Sequence, residues 1–137
     1  EHRFEELGSG KVRYVDDVTF VPAMAPGRLA AEITRLLFVH RHYRAAREHA
    51  QFAINIHPGF SLGWVQLANA LGALGEIDAA RHAIAQAQQA NPRFRPDGYR
   101  RYLLAIAHEV GMESVRRQTD GLVRAGLVPP LSEASAA

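Results

Sequence analysis

The 137-residue chain predicts an all-α fold: antiparallel helix pairs, about six helices in all, preceded by a non-helical or partly extended arm. Three observations predict it. From Arg28 onward, apolar residues recur at three- and four-residue spacing, the period of one helix face. Helix-stopping prolines then fall at a fixed interval, at Pro58 and Pro92, and each disfavours helical geometry in the residue before it. Finally, the stretch SLGWVQLANALGALGEIDAARHAIAQAQQANP (61–92) repeats the pattern of the stretch before it.

Composition bounds the class. The length suits one domain with a modest core. At 47% hydrophobic and 22% charged residues the chain has ordinary globular usage. A net charge of +2 is too mild to predict nucleic-acid binding. The absence of cysteine excludes disulfides and thiolate metal sites. No apolar run approaches the roughly 18 residues of a membrane span. The start, EHRFEELGSG, lacks the apolar stretch of a signal peptide, so a cytoplasmic setting is expected. Glu1 in place of an initiating Met predicts a piece cut from a longer protein.

Residues 1–26 form the arm. EHRFEEL could make a short helical turn, whereas KVRYVDDVTFVPA is β-branched and aromatic, with alternation at Val12–Tyr14 and Val18–Phe20. No second strong strand signal offers it a partner, so the arm is expected to lie on the helical body. The first helix carries Leu29, Ile33, Leu36 and Leu37 and runs to about His40, where RHYR turns the chain. A second carries Ala46, Ala50, Ala53 and Ile54 and ends before Pro58. Ser61 is the expected N-cap of the third, which carries Leu62, Trp64, Leu67, Ala68 and Leu71. Gly75 permits a sharp turn into the alanine-rich fourth helix, about 77–90.

Residues 27–60 and 61–94 align with a period of 34 residues. Ala30 falls against Trp64, Ile33 against Leu67, Leu37 against Leu71, Ala46 against Ala80, Ala50 against Ile84 and Pro58 against Pro92. Small residues such as Ala46 and Ala80 allow helices to cross closely while the large ones fill the space beside them. On these residues the chain resembles the tetratricopeptide repeat (TPR) family. The second unit is the nearer match, with Ala68 in place of the usual glycine and Ile84 in place of the usual aromatic. The first has Ala30 where tryptophan is common and Thr34 where glycine is common. The resemblance implies a right-handed superhelix of helix pairs with a concave binding groove.

A degenerate third pair occupies 95–128 as a cap. Pro96 and Asp97 suit a helix start, with Tyr99, Tyr102, Leu103, Ile106 and Ala107 as the apolar face. After Gly111, Val115, Leu122 and Val123 mark a last helix ending at Gly126. The segment from Val128, with the tail 129–137, is expected to be disordered. The ending QTDGLVRAGL resembles the terminus of the TPR region in bacterial class III adenylate/guanylate cyclases and some TPR-bearing regulators. That implies a regulatory piece without the cyclase domain.

No catalytic constellation is legible. The seven histidines include no H-x-x-x-H pair on one helix face. Asp16 and Asp17 are sequence neighbours, which point apart on an extended chain. GSGK at 8–11 lacks the spacing of a phosphate loop. A non-enzymatic module with no cofactor and no metal is expected.

By the TPR resemblance, the first helix of each pair lines the groove. The residues carried over are Arg28, Arg35, Phe38 and Val39 from the first unit, and Leu62, Val65, Asn69 and Ala73 from the second, with Tyr99 extending the surface. Arg35 and Asn69 would be its polar handles, able to hold a carboxylate and a peptide backbone. Ala31 stands where a chaperone-tail clamp carries Lys, so such tails are not the expected ligand. The expected partner is a peptide, a helix or a sister domain of the parent protein, not nucleic acid or membrane. The alternative occupant of the groove is the arm, residues 1–26. A small-ligand sensory domain controlling a linked cyclase or DNA-binding domain, and a structural homodimerisation unit, are the alternatives.

Overall fold

Two helical hairpins in exact 34-residue register make the body of the protein. In the computed structural model, residues 4–6, 12–14, 18–20 and 27–131 are described, with side chains from residue 32 onward. Helix α1 (Gly27–Val39) pairs with α2 (Tyr43–Ile56), and α3 (Ser61–Ala73) pairs with α4 (Ile77–Ala90). Each start and each end in the second hairpin lies 34 residues beyond its counterpart in the first. Three further helices follow: α5 (Pro96–Ala105), α6 (Ala107–Val110) and α7 (Met112–Arg124). The described body from residue 27 is therefore all-helical.

The alanines explain the pairing. Ala45, Ala46 and Ala50 of α2, Ala68 and Ala70 of α3, and Ala80, Ala83 and Ala87 of α4 are buried. With only a methyl group between backbones, neighbouring helices approach closely and gain dispersion contact along their length. Leu67, Leu71, Ile84 and Ile54 fill the space between the alanines in one core cluster, while Leu37 and Phe38 join Ala45, Ala46 and Ala70 in a second. Trp64 packs at the edge of the first cluster, and its indole Nε1–H donates to the Pro58 carbonyl at 2.9 Å, fixing the α2–α3 loop. Ser61 is the first helical residue rather than the N-cap. Phe60 holds the cap position, and no side-chain bond is made there.

Three helices end on one motif. After α3, Gly75 N–H donates to Gly72 O and Glu76 N–H to Leu71 O. After α7, Gly126 N–H donates to Val123 O and Leu127 N–H to Leu122 O. This double closure needs a left-handed residue, and the two glycines supply it at φ 85° and 73°. The end of α1 closes the same way, from Arg41 N–H to Phe38 O and His42 N–H to Leu37 O, but its left-handed residue is Arg41 at φ 59°. An arginine there bears a steric penalty that glycine escapes, partly offset by glycine's greater freedom when unfolded. Arg41→Gly is therefore expected to stabilise the fold by about 0.5–1 kcal/mol, read as a rise in denaturation midpoint at constant slope.

The arm differs from expectation. Strands β1 (Phe4–Glu6), β2 (Val12–Tyr14) and β3 (Val18–Phe20) form an antiparallel meander in the order β1-β2-β3. Tyr14 pairs with Phe4 on one side and Val18 on the other. Phe4–Glu6 is thus strand rather than a helical turn, and it supplies the partner that β2 was expected to lack. Val, Tyr, Phe and Thr suit a pleated backbone, and a central strand with neighbours on both edges satisfies its main-chain groups. β1 runs beside α2. The GSGK segment and Asp16–Asp17 lie outside the described residues.

The third pair also departs from the expected stack. The helix that lies on α3 is α7, which packs on α1 as well, while α5 rests on α6 and α7. The chain breaks at Ile106 and again at Gly111 (φ 88°), so the α5 region yields two helices where one was expected. Tyr99 and Leu103 do enter the core, but Tyr102 is 55% exposed. Order also extends past Val128. That side chain is buried, Leu131 packs against the same core cluster, and the Pro129 carbonyl accepts a hydrogen bond from Arg100.

Candidate functional site

The face that α1 and α3 present together is the surface expected to form a groove, and α7 occupies it. The contact is built at two places, the first of which is a glycine crossing. A Cβ placed on Gly121 would lie 2.6 Å from the Asn69 carbonyl carbon and 2.8 Å from the Ala73 backbone nitrogen. One placed on Gly72 would overlap the Gly121 backbone. Both are backbone encounters that no side-chain rotation relieves, so each helix needs a residue without a side chain at this point.

The second is Asn69, fully buried one turn before Gly72. Its Nδ2 donates to Arg117 O at 3.1 Å, while its Oδ1 accepts from Gly121 N–H at 2.8 Å and from Leu122 N–H at 3.2 Å. Arg117 O and Gly121 N–H stand four residues apart, the pair that an α-helix ordinarily bonds to each other. One side chain therefore inserts its amide at a rung of the neighbouring helix, a device that bends helices. Within α7, Thr119 donates its hydroxyl to Val115 O at 2.8 Å. The other two buried polar side chains on α7 satisfy each other, Gln118 Nε2 donating to Ser114 Oγ at 2.9 Å. At the far end Arg124 donates to Ala73 O at 2.8 Å, satisfying a terminal carbonyl of α3. From α4, Arg81 donates to Ala125 O at 2.9 Å.

The expected groove residues separate accordingly. Phe38, Val65 and Asn69 are completely buried and Tyr99 nearly so, which places them in the core or under α7 rather than on an open surface. Val39, Leu62 and Ala73 are half-buried. Arg28 belongs to α1. Arg35 is committed to Glu32 of its own helix, with Nε donating to Oε2 at 3.0 Å, and this bond holds its pKa above the usual arginine value. The two polar handles are thus engaged within the chain, Asn69 by α7 and Arg35 by Glu32. The contribution of Gly121 and Leu122 escaped sequence reasoning, because they lie 52 and 53 residues from Asn69 and no periodicity links them.

Asn69→Ala would strip α7 of three hydrogen bonds and leave a small void. The expected loss is about 2 kcal/mol in chemical denaturation. An unchanged midpoint would mean that the helix rung closes on itself and Asn69 is dispensable.

Among the described residues no three His, Asp or Glu side chains gather as a metal site would need. The His40 and His42 rings sit 6.3 Å apart at the α1–α2 turn. No helix among the described residues is long and apolar enough to cross a membrane. In comparisons with known proteins, no family, no curated protein and no solved structure matches the chain.

Proposed function

We propose that the chain is a non-enzymatic protein-interaction module of the TPR type, a regulatory part of a larger bacterial signalling protein in the cytoplasm, and that its partner is a helix. The observation that carries this reading is the chemistry of the α3 face. Asn69 grips main-chain atoms, and Gly72 admits a backbone at close range. Such a face selects for a helix with a small residue at the crossing and is indifferent to most of its other side chains. In the chain alone α7 takes this position, so a partner helix or sister domain competes with α7 for it. The 34-residue register of the two hairpins supports a repeat-type scaffold.

The test is crosslinking in the source cell, reconstitution from two purified proteins, and hydrogen exchange on the complex. A saturable complex is expected in which amides of residues 112–124 lose protection while those of α2 and α4 keep it. If no protein binds on reconstitution, the interaction reading falls. If α7 stays protected within a complex, the α3 face is not the binding surface.

A further inference from the structure

Arg41 occupies a position where the matching turn of the second hairpin has glycine, since residue 41 aligns with Gly75 in the 34-residue register. Among the described residues it is the sole non-glycine with positive φ. Its side chain is exposed and makes no ion pair or hydrogen bond with any described residue. Nothing in the packing of the turn calls for arginine. What the side chain does is line a cleft of about 420 Å³ between the α1–α2 turn, the end of α3 and the last two turns of α7.

The cleft is cationic. Arg117 and Arg124 of α7 line it with Arg41, against a single carboxylate, Asp120, and the Tyr43 side chain forms part of the wall. Arg117 is already held by Glu113 at 2.8 Å and by Asp120 at 3.4 Å. Arg124 spends one N–H on Ala73 O and has no carboxylate partner among the described residues. Two guanidinium groups on opposite sides of a seam are thus left without a counter-charge, which is the arrangement that binds a planar or tetrahedral oxyanion through paired N–H donors. The volume falls within the range of small-molecule sites.

We propose that Arg41 and Arg124 bind a small oxyanion, a phosphate monoester or dicarboxylate, in this cleft, with the Tyr43 hydroxyl as an additional donor. The bound anion bridges the α1–α2 turn to α7 and so tightens α7 on its seat. The proposal does not rest on the partner reading: the site is built with α7 seated on α3, and displacing α7 would carry Arg124 out of it.

The experiment is calorimetric titration of the full chain with inorganic phosphate and with malonate, each at constant ionic strength set by chloride, followed by hydrogen exchange at saturation. Wild-type protein is expected to give saturable heat with at least one of the two, and slower exchange in residues 112–124. A response to phosphate alone or to malonate alone identifies the ligand class. Arg41→Gly keeps the turn, so its loss of affinity, by roughly tenfold or more for a charge-assisted pair of bonds, cannot be ascribed to misfolding. Arg41→Lys, a cation without the fork, is expected to bind more weakly than wild type but better than Arg41→Gly. No saturable heat from either anion, or equal affinity in wild type and Arg41→Gly, overturns the proposal.

Discussion

Gly121→Ala is expected to destabilise the protein by about 4 kcal/mol, a large effect for one methyl group. The added carbon meets the Asn69 carbonyl and the Ala73 amide, both backbone atoms inside a helix, so α7 has to move away from α3 as a body. Moving it stretches the three hydrogen bonds to Asn69, whose amide has no other partner and is sealed from water. A buried amide left unpaired costs about 1–3 kcal/mol in addition to the steric term. In a domain of this size such a loss corresponds to a fall of roughly 20 °C in Tm. Hydrogen exchange would show where it is felt: residues 112–124 lose protection first, and the α3–α4 hairpin persists longest. The reciprocal change, Gly72→Ala, meets the Gly121 backbone and is expected to behave alike. A Gly121→Ala protein within about 0.5 kcal/mol of wild type would show that the helices cross less closely than described.

Acid is the second large lever. His49 lies on α2 at 4% exposure, and burial lowers its pKa from 6.5 to about 4. The folded state thus holds the neutral ring where the unfolded chain binds a proton. Stability from this group is complete above pH 6.5, declines as pH falls from 6.5 to about 4, and changes no further below that. The whole excursion amounts to about 3 kcal/mol. Denaturation at a series of pH values should show stability falling across this window, and His49→Leu should flatten that part of the curve. A wild-type curve already flat between pH 6.5 and 4 would place the imidazole in contact with water.

Much of the helical body was legible in the sequence, and the reason is local. The α1–α4 bounds follow from apolar spacing and from Pro58 and Pro92, and such signals act over a few residues. The alanines at 46 and 80 marked the crossings for the same reason. The position of α7 was not legible, because amphipathic spacing says that a helix has a buried face and not which surface receives it. A chain that keeps stacking and a chain that folds back share the same pattern of Val115 and Leu122. Asn69 was correctly singled out as a residue able to bond a backbone, but the backbone it bonds is 48 to 53 residues further along the same chain. The meander was half visible: β2 and β3 carried β-branched signatures, whereas FEE in β1 has no alternation and becomes a strand by pairing. Arg41 was readable in principle, since the register sets it opposite Gly75, the place where the second hairpin's turn takes a left-handed residue.

The insertion of Asn69 into a rung of α7 has one more implication, for how freely this segment can vary. A grip on carbonyl and amide atoms ignores whatever side chains the gripped helix carries on its far side. Glu113 and Arg116, both exposed, can therefore drift, accept a dye or bear an affinity tag with little penalty, provided that position 121 stays bare. With no native thiol to compete, a cysteine at 116 gives a clean attachment point from which to watch this helix leave and return.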